Sequence, residues 1–193
     1  GQNILDNSGL VKAPAGGGAW NFISKQTASS DSTIDFTSGI DSTYKEYLFT
    51  FNNIHAGTDG VQFKFQTSTD SGSSYGVTAT TTVFRAYHNE AGNDTDLTYY
   101  DSDLAQSTDF QNLFLTLNTG NDESVAGYLH LFNPSSPTFA KHFIAKTTGY
   151  GQTVYNMQYY IAGYFNTTSP VDAIQFKMAS GNIDFGDICL YGL

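Results

Sequence analysis

The chain reads as an all-β protein: two antiparallel sheets packed as a sandwich, with a jelly roll as the preferred topology. Three observations predict this. Residues alternate at period two in several short stretches, as where Tyr47, Phe49 and Phe51 alternate with Glu46, Leu48, Thr50 and Asn52. Clusters of Gly, Ser, Asp and Asn separate these stretches as turns do. No segment holds a 3.6-residue period for long, although residues 101–112 have room for one helical turn or two, and no βαβ alternation is present. A strand with one apolar face must bury it, and two packed sheets satisfy every such strand. A jelly roll suits the many, often long strands better than an immunoglobulin-like sandwich, whose Cys…Trp…Cys framework is missing.

Residues 1–18 differ from the rest of the chain. Ile4 and Leu5, then Leu10 and Val11, are short apolar patches, and Pro14-Ala15-Gly16-Gly17-Gly18 closes the segment. Consecutive glycines make a flexible joint. This N-terminal arm reads as a docking segment for a neighbouring subunit or another protein, or else as a loose end. A single sandwich domain over 19–193 is expected after it. Trp20 and Phe22 share a face of its first strand, Ser29 to Ser32 reads as a turn, and Ile34 and Phe36 mark a short strand. Val61, Phe63 and Phe65 alternate with Gln62, Lys64 and Gln66, a half-buried strand with one wet face. After the polar loop Ser68–Gly76, a Thr-rich strand runs from Val77 to Tyr87, with Val83 and Phe84 its heaviest apolar part.

Residues 88–110 form a long excursion. Leu113, Leu115 and Leu117 then alternate with Phe114 and Thr116. Ala126, Tyr128, His130 and Phe132 oppose Leu129 and Leu131, so this strand is apolar on both sides and is expected under cover. Pro134 and Pro137 break it. Phe143 and Ala145 lie opposite His142 and Ile144 in the next strand. Tyr155, Met157, Tyr159, Ile161 and Phe165 line one face of the following one, and Tyr160 and Tyr164 the other. A closing hairpin is expected, with Ile174, Phe176 and Met178 on one side of its first strand and Ser180-Gly181-Asn182 as its turn. The final strand is apolar at Ile183, Phe185, Ile188, Leu190 and Leu193. Its period breaks at Phe185-Gly186-Asp187, where a bulge would switch the face. A tail that stays apolar to its last residue is expected inside a sheet.

Composition bounds the function. Eighteen acids against eight basic residues give a net charge of −10, so nucleic acid and anionic membranes are poor partners. Charged residues make up only 13% of the chain, and Ser, Thr, Asn, Gln, Gly and Tyr must supply the polar surface, a pattern common in secreted adhesins and virus-particle proteins. No apolar run approaches the length of a membrane helix, so no membrane insertion is expected. The first residues lack the basic end and apolar core of a signal peptide, and Leu5 stands where a myristoylation signal needs Ser or Thr. The single Cys189 excludes an internal disulfide framework and a multi-thiolate zinc site. It lies opposite the Ile188 and Leu190 side and reads as a small hydrophobe.

Candidate sites are few. From 88 to 123 the chain carries eight acids and no lysine or arginine. Asp94 and Asp96, or Asp101 and Asp103, are spaced like a hard-cation loop, but the glycine and glutamate that a calcium loop needs are missing. A solvated acidic loop or contact surface is the better account. His55, His88, His130 and His142 are widely separated, and His130 reads as a core or interface histidine. There is no Gly-x-Ser-x-Gly elbow, and no signal selects a catalytic carboxylate pair. A carbohydrate-active enzyme is thus the weakest reading, and no catalytic residue, cofactor or metal is assigned. The tyrosines remain. Tyr75, Tyr99, Tyr100, Tyr150, Tyr160 and Tyr164 beside Ser, Thr, Asn and Gln suit a glycan- or protein-binding surface.

Three segments carry a resemblance: Tyr44-Lys45-Glu46-Tyr47-Leu48-Phe49-Thr50-Phe51-Asn52-Asn53-Ile54; Phe63-Lys64-Phe65-Gln66-Thr67-Ser68-Thr69-Asp70-Ser71-Gly72-Ser73-Ser74-Tyr75; and the closing Ser180-Gly181-Asn182-Ile183 with Ile188-Cys189-Leu190-Tyr191-Gly192-Leu193. Together they resemble small β-rich virion proteins of tailed bacteriophages, especially marine ones, of the tail-fibre or head-decoration type. The resemblance spans roughly residues 20–193 and is weakest over 88–123. It implies a non-enzymatic structural protein of the virion, with other virion proteins as partners. The alternative it implies is a fibre-tip adhesin for a host-surface glycan or protein. Independently, strands apolar on both faces, at residues 126–132 and 155–165, predict a homo-oligomer, a trimer above all or part of a larger symmetric array. The self-contained start at Gly1 suits a separate particle component.

Overall fold

The computed structural model describes residues 19–151 and 154–193; the expected arm, with Ile4, Leu5, Leu10 and Val11, lies outside them. Twelve strands form among the described residues: β1 (Asn21–Asp31), β2 (Ile34–Phe36), β3 (Glu46–Ala56), β4 (Val61–Ser68), β5 (Ala79–Asn89), β6 (Thr95–Tyr99), β7 (Gln111–Leu117), β8 (Val125–Phe132), β9 (Lys141–Gly151), β10 (Tyr155–Phe165), β11 (Ala173–Met178) and β12 (Ile183–Gly192). Eight build a large sheet in the order β1-β12-β3-β8-β9-β10-β5-β6, and four a small sheet in the order β2-β11-β4-β7. Every pairing is antiparallel. The chain is an all-β two-sheet antiparallel sandwich.

The pairing is nested. The first strand pairs with the last, β2 with β11, β3 with β8 and β4 with β7, alternately in the large and the small sheet. The hairpins β5-β6 and β9-β10 then extend the large sheet past β8. The period-two residues fill the space between the sheets. Phe176 is at the centre, its ring 5.4–6.3 Å from those of Phe36, Phe49, Phe51, Phe63 and Phe65. Phe65, Phe143 and Phe165 continue this core under β9 and β10, and Phe114 meets Tyr159 beyond them.

The last strand is interior, between β1 and β3, and its register shifts on both sides of Phe185. Gly186 has a φ of +124°, and a Cβ there would lie 2.7 Å from the Asn53 carbonyl, so the bulge needs glycine. The bulge leaves Phe185 outside the core, 61% exposed, while Ile183, Ile188 and Leu190 are buried.

Several expectations need correction. Ser29 to Asp31 continue β1 instead of turning, because their ladder with β12 runs as far as the pair Asp31–Ile183. The excursion holds a strand, β6, and residues 101–112 contain no helix. The closing strands do not form a hairpin. Gly181, at a φ of +69°, helps turn the chain across the sandwich, so β11 joins the small sheet and β12 the large one. On β7 the alternation fails: Phe114 is buried beside Leu113, and Leu115 is only partly buried. The register with β4 shifts twice there, and Thr116 takes a φ of +61°. Of the two readings of His130, core or interface, the core one fails: it lies on the outer side of the large sheet, paired with Ile144.

Candidate functional site

The small sheet has half as many strands as the large one, and its strands cover only one face of it. Among the described residues, no second sheet covers the outer face of the large sheet. Antiparallel register puts directly paired residues on the same face, so its surface can be read off in rows. One row runs Thr50, Tyr128, Lys146, Tyr160, Phe84 and Tyr99 across β3, β8, β9, β10, β5 and β6. The next runs Phe22, Tyr191, Leu48, His130, Ile144, Ala162 and Thr82. A third runs Glu46, Phe132, His142, Tyr164 and Thr80.

These side chains stack on one another. Phe84 and Tyr160 lie parallel, centroids 4.7 Å apart at 7°. The Lys146 ammonium sits 4.9 Å above the Tyr160 ring, and the Tyr160 hydroxyl donates to Gln158 at 2.9 Å. Trp20 meets the His130 ring edge-on at 5.3 Å, His130 packs 4.1 Å from Phe132, and its Nε2 is 2.8 Å from a Glu46 oxygen. Phe22 meets Tyr191 at 5.7 Å. The stacking orders the face without covering it: Phe22 is 61% exposed, Leu97 67%, Tyr99 60% and Ile144 48%. Between the rows a shallow depression of about 390 Å³ is lined by Thr80, Phe132, His142, Ile144, Ala162 and Tyr164.

Charge is distributed unevenly. The strands β5, β8, β9 and β10 contain no Asp or Glu at all, in a chain with eighteen acids. Their outer residues include Lys146, His88, His130 and His142. The centre of this face is therefore neutral to basic on an acidic protein.

The six tyrosines singled out by sequence do not form one site. Tyr99, Tyr160 and Tyr164 belong to the outer face. Tyr99 also donates to the Asp103 carboxylate, and that bond, with some burial, raises its pKa. Tyr100 turns the other way and packs against the core. Tyr75 lies in the loop after β4, where burial and the Asp35 carboxylate push its phenol up. Tyr150 is at the far end of β9, its pKa raised by burial and by Glu90, Asp122 and Glu123. The acidic excursion is divided: Asp94 accepts from Tyr155, Asp96 from the Leu97 amide and Asp103 from Tyr99. Among the described residues no group of three or more His, Cys, Asp or Glu is placed to hold a metal ion.

Sequence reasoning missed Phe84, Lys146, Tyr128 and Ile144 as members of one surface. Each sits at the right parity on its strand, but only the register between strands brings them together. No protein-family model matches the chain, and no curated protein or solved structure does so either.

Proposed function

We propose that the chain is a non-enzymatic structural protein of a virion, built into the particle through the outer face of its large sheet, with a second copy of itself as the first partner. The observation that carries the reading is that ordered aromatic face, whose four central strands β5, β8, β9 and β10 carry no acid and whose Glu46 is paired with His130. Its side chains are held by mutual stacking, so little rotamer entropy is lost when they are covered. The absence of carboxylates from β5, β8, β9 and β10 reduces the charge repulsion and desolvation cost that a net charge of −10 would otherwise impose on self-association there. A closed ring, a trimer above all, is the expected assembly. Connectivity supports a jelly roll: the nested pairs β1·β12, β2·β11, β3·β8 and β4·β7, split between two sheets, follow that topology, and β5-β6 and β9-β10 are insertions that widen one sheet. The three segments that resemble virion proteins support placement on a phage particle, with other virion proteins as further partners.

The alternative is a fibre-tip adhesin for a host-surface glycan or protein. It is favoured by Leu97 and Tyr99, strongly exposed members of the face on the edge strand β6. Imaging the particle decides between the two. Hundreds of copies on the head exclude the adhesin in its usual form. A few copies at fibre ends, with adsorption lost in Tyr99→Ala, exclude pure decoration. A strict monomer in solution at micromolar concentration, absent from particles, removes the whole reading.

A further inference from the structure

Arg85 is the chain's only arginine. It lies on the inner side of β5, next to Tyr159 of β10. Burial pushes the Tyr159 phenol up to about 12, against the opposing pull of Arg85. The guanidinium carbon is 4.2 Å from the centroid of the Tyr100 ring and 4.9 Å from that of Tyr87. Among the described residues no carboxylate lies within ion-pair distance of it, although acids outnumber basic residues more than two to one. Its Nε is buried and has no acceptor among the described residues. A guanidinium presents a planar fork of donors that suits two carboxylate oxygens, and here the rings fix the plane of that fork in advance.

Arg85 lines a pocket of about 300 Å³ together with Tyr87, Asp94, Tyr100, Tyr155 and Met157. That is the low end of the range for small-ligand sites, roughly 300–1,000 Å³, and suits a single sugar ring. Asp94 shares the pocket but does not pair with Arg85; it accepts the Tyr155 hydroxyl at 2.9 Å. A simple anion would be repelled by Asp94. A ligand carrying hydroxyl groups beside its carboxylate would instead donate to it.

We infer that this pocket binds a carboxylated sugar of the uronic-acid type, its carboxylate on Arg85 and a neighbouring hydroxyl on Asp94. The inference stands whichever surface joins the particle.

A single arginine gives a single Nε–H resonance, which identifies itself in the spectrum of the ¹⁵N-labelled full chain. Titration with D-glucuronic acid should move that resonance saturably in the millimolar range. D-glucose and D-glucuronamide should bind at least about tenfold more weakly, a difference of about 1.4 kcal/mol. Arg85→Lys keeps the charge but loses the fork, and should weaken glucuronic acid binding by a similar factor. Absence of saturable movement with glucuronic acid overturns the proposal, as does equal binding of the amide. Unchanged binding by a folded Arg85→Lys protein also overturns it; if that variant does not fold, the acid and amide comparison on the native chain decides alone.

Discussion

Phe49 and Phe143, on the inner face of the eight-stranded sheet, are 0% and 1% exposed, whereas Phe22 and Phe84 on its outer face are 61% and 44% exposed. The residue type and the strand pattern are the same on both faces. The difference is the partner. Inside, four strands of a second sheet press Phe36, Phe63, Phe65 and Phe176 against the first. Outside, no second sheet lies over the rings among the described residues, and they stack on one another and on side chains such as Lys146 and His130. Period two establishes that a strand has two faces, but the partner element decides which face is a core and which a surface available to another molecule.

The contrast can be broken hardest from the inside. Phe176 is fully buried among five other rings. Phe176→Ala should cost about 3–5 kcal/mol in urea unfolding. A loss under about 2 kcal/mol would mean that the two sheets are not packed as described. Next in size is a backbone limit. Gly127 of β8 has a φ of +155°, and a Cβ there would lie 2.2 Å from the Lys146 carbonyl oxygen. Gly127→Ala should cost about 1–3 kcal/mol by the same measurement.

Outer-face changes should separate stability from assembly. The double variant Phe84→Ser, Tyr160→Ser removes the parallel pair at the centre of the longest row. Aromatic pairs add about 0.5–1.5 kcal/mol beyond area burial, so the folded monomer should lose no more than about 2 kcal/mol. The assembly, in contrast, should fall to monomer when its mass is measured by light scattering. An unchanged assembly mass would move the contact elsewhere.

Much of this fold was legible in the residues. Tyr47, Phe49 and Phe51, Val61, Phe63 and Phe65, and Ile174, Phe176 and Met178 all face inward at period two. The Phe185-Gly186-Asp187 bulge and the interior last strand were also readable. A glycine inside an apolar strand marks a bulge, and the apolar run 188–193 needs strands on both sides to cover it. The sheet to which each strand belongs was not legible. Ser180-Gly181-Asn182 looks the same whether it closes a hairpin or carries the chain across a sandwich. The face was half legible for the same reason. Tyr160 and Tyr164 share one side of their strand by parity alone, but their neighbours Phe84, Lys146 and Ile144 come from strands 14 to 76 positions away in register. Tyr100 beside Tyr99 shows the limit: adjacent residues point to opposite faces, so one joins the open surface and the other stacks on Arg85.

The smallest expected effect tests a charged residue buried on the largely apolar inner face. Lys141 of β9 is fully buried, and its ammonium donates to the carbonyls of Phe139 at 2.8 Å and Thr167 at 3.3 Å, with no carboxylate paired to it. Burial lowers its pKa from 10.5. Hydrogen bonds to a charged group are worth about 1.5–3 kcal/mol, and desolvation of the ion opposes them with several. The two nearly cancel, so Lys141→Met should stay within about 1 kcal/mol of the native chain at neutral pH. The sign of the pH dependence comes from the direction of the shift. Between the lowered folded value and the unfolded value of 10.5, the unfolded chain holds a proton that the folded chain has released. Folding is therefore favoured as pH rises through that window. The tyrosines with raised pKa values push the other way, but they are common to both proteins and drop out of the difference. Unfolding midpoints measured in parallel should shift in favour of the native chain over Lys141→Met as pH climbs toward 10.5. A constant difference would mean that the ammonium reaches solvent, and that the inner face of β9 is less closed at this end than Phe143 and Ala145 beside it imply.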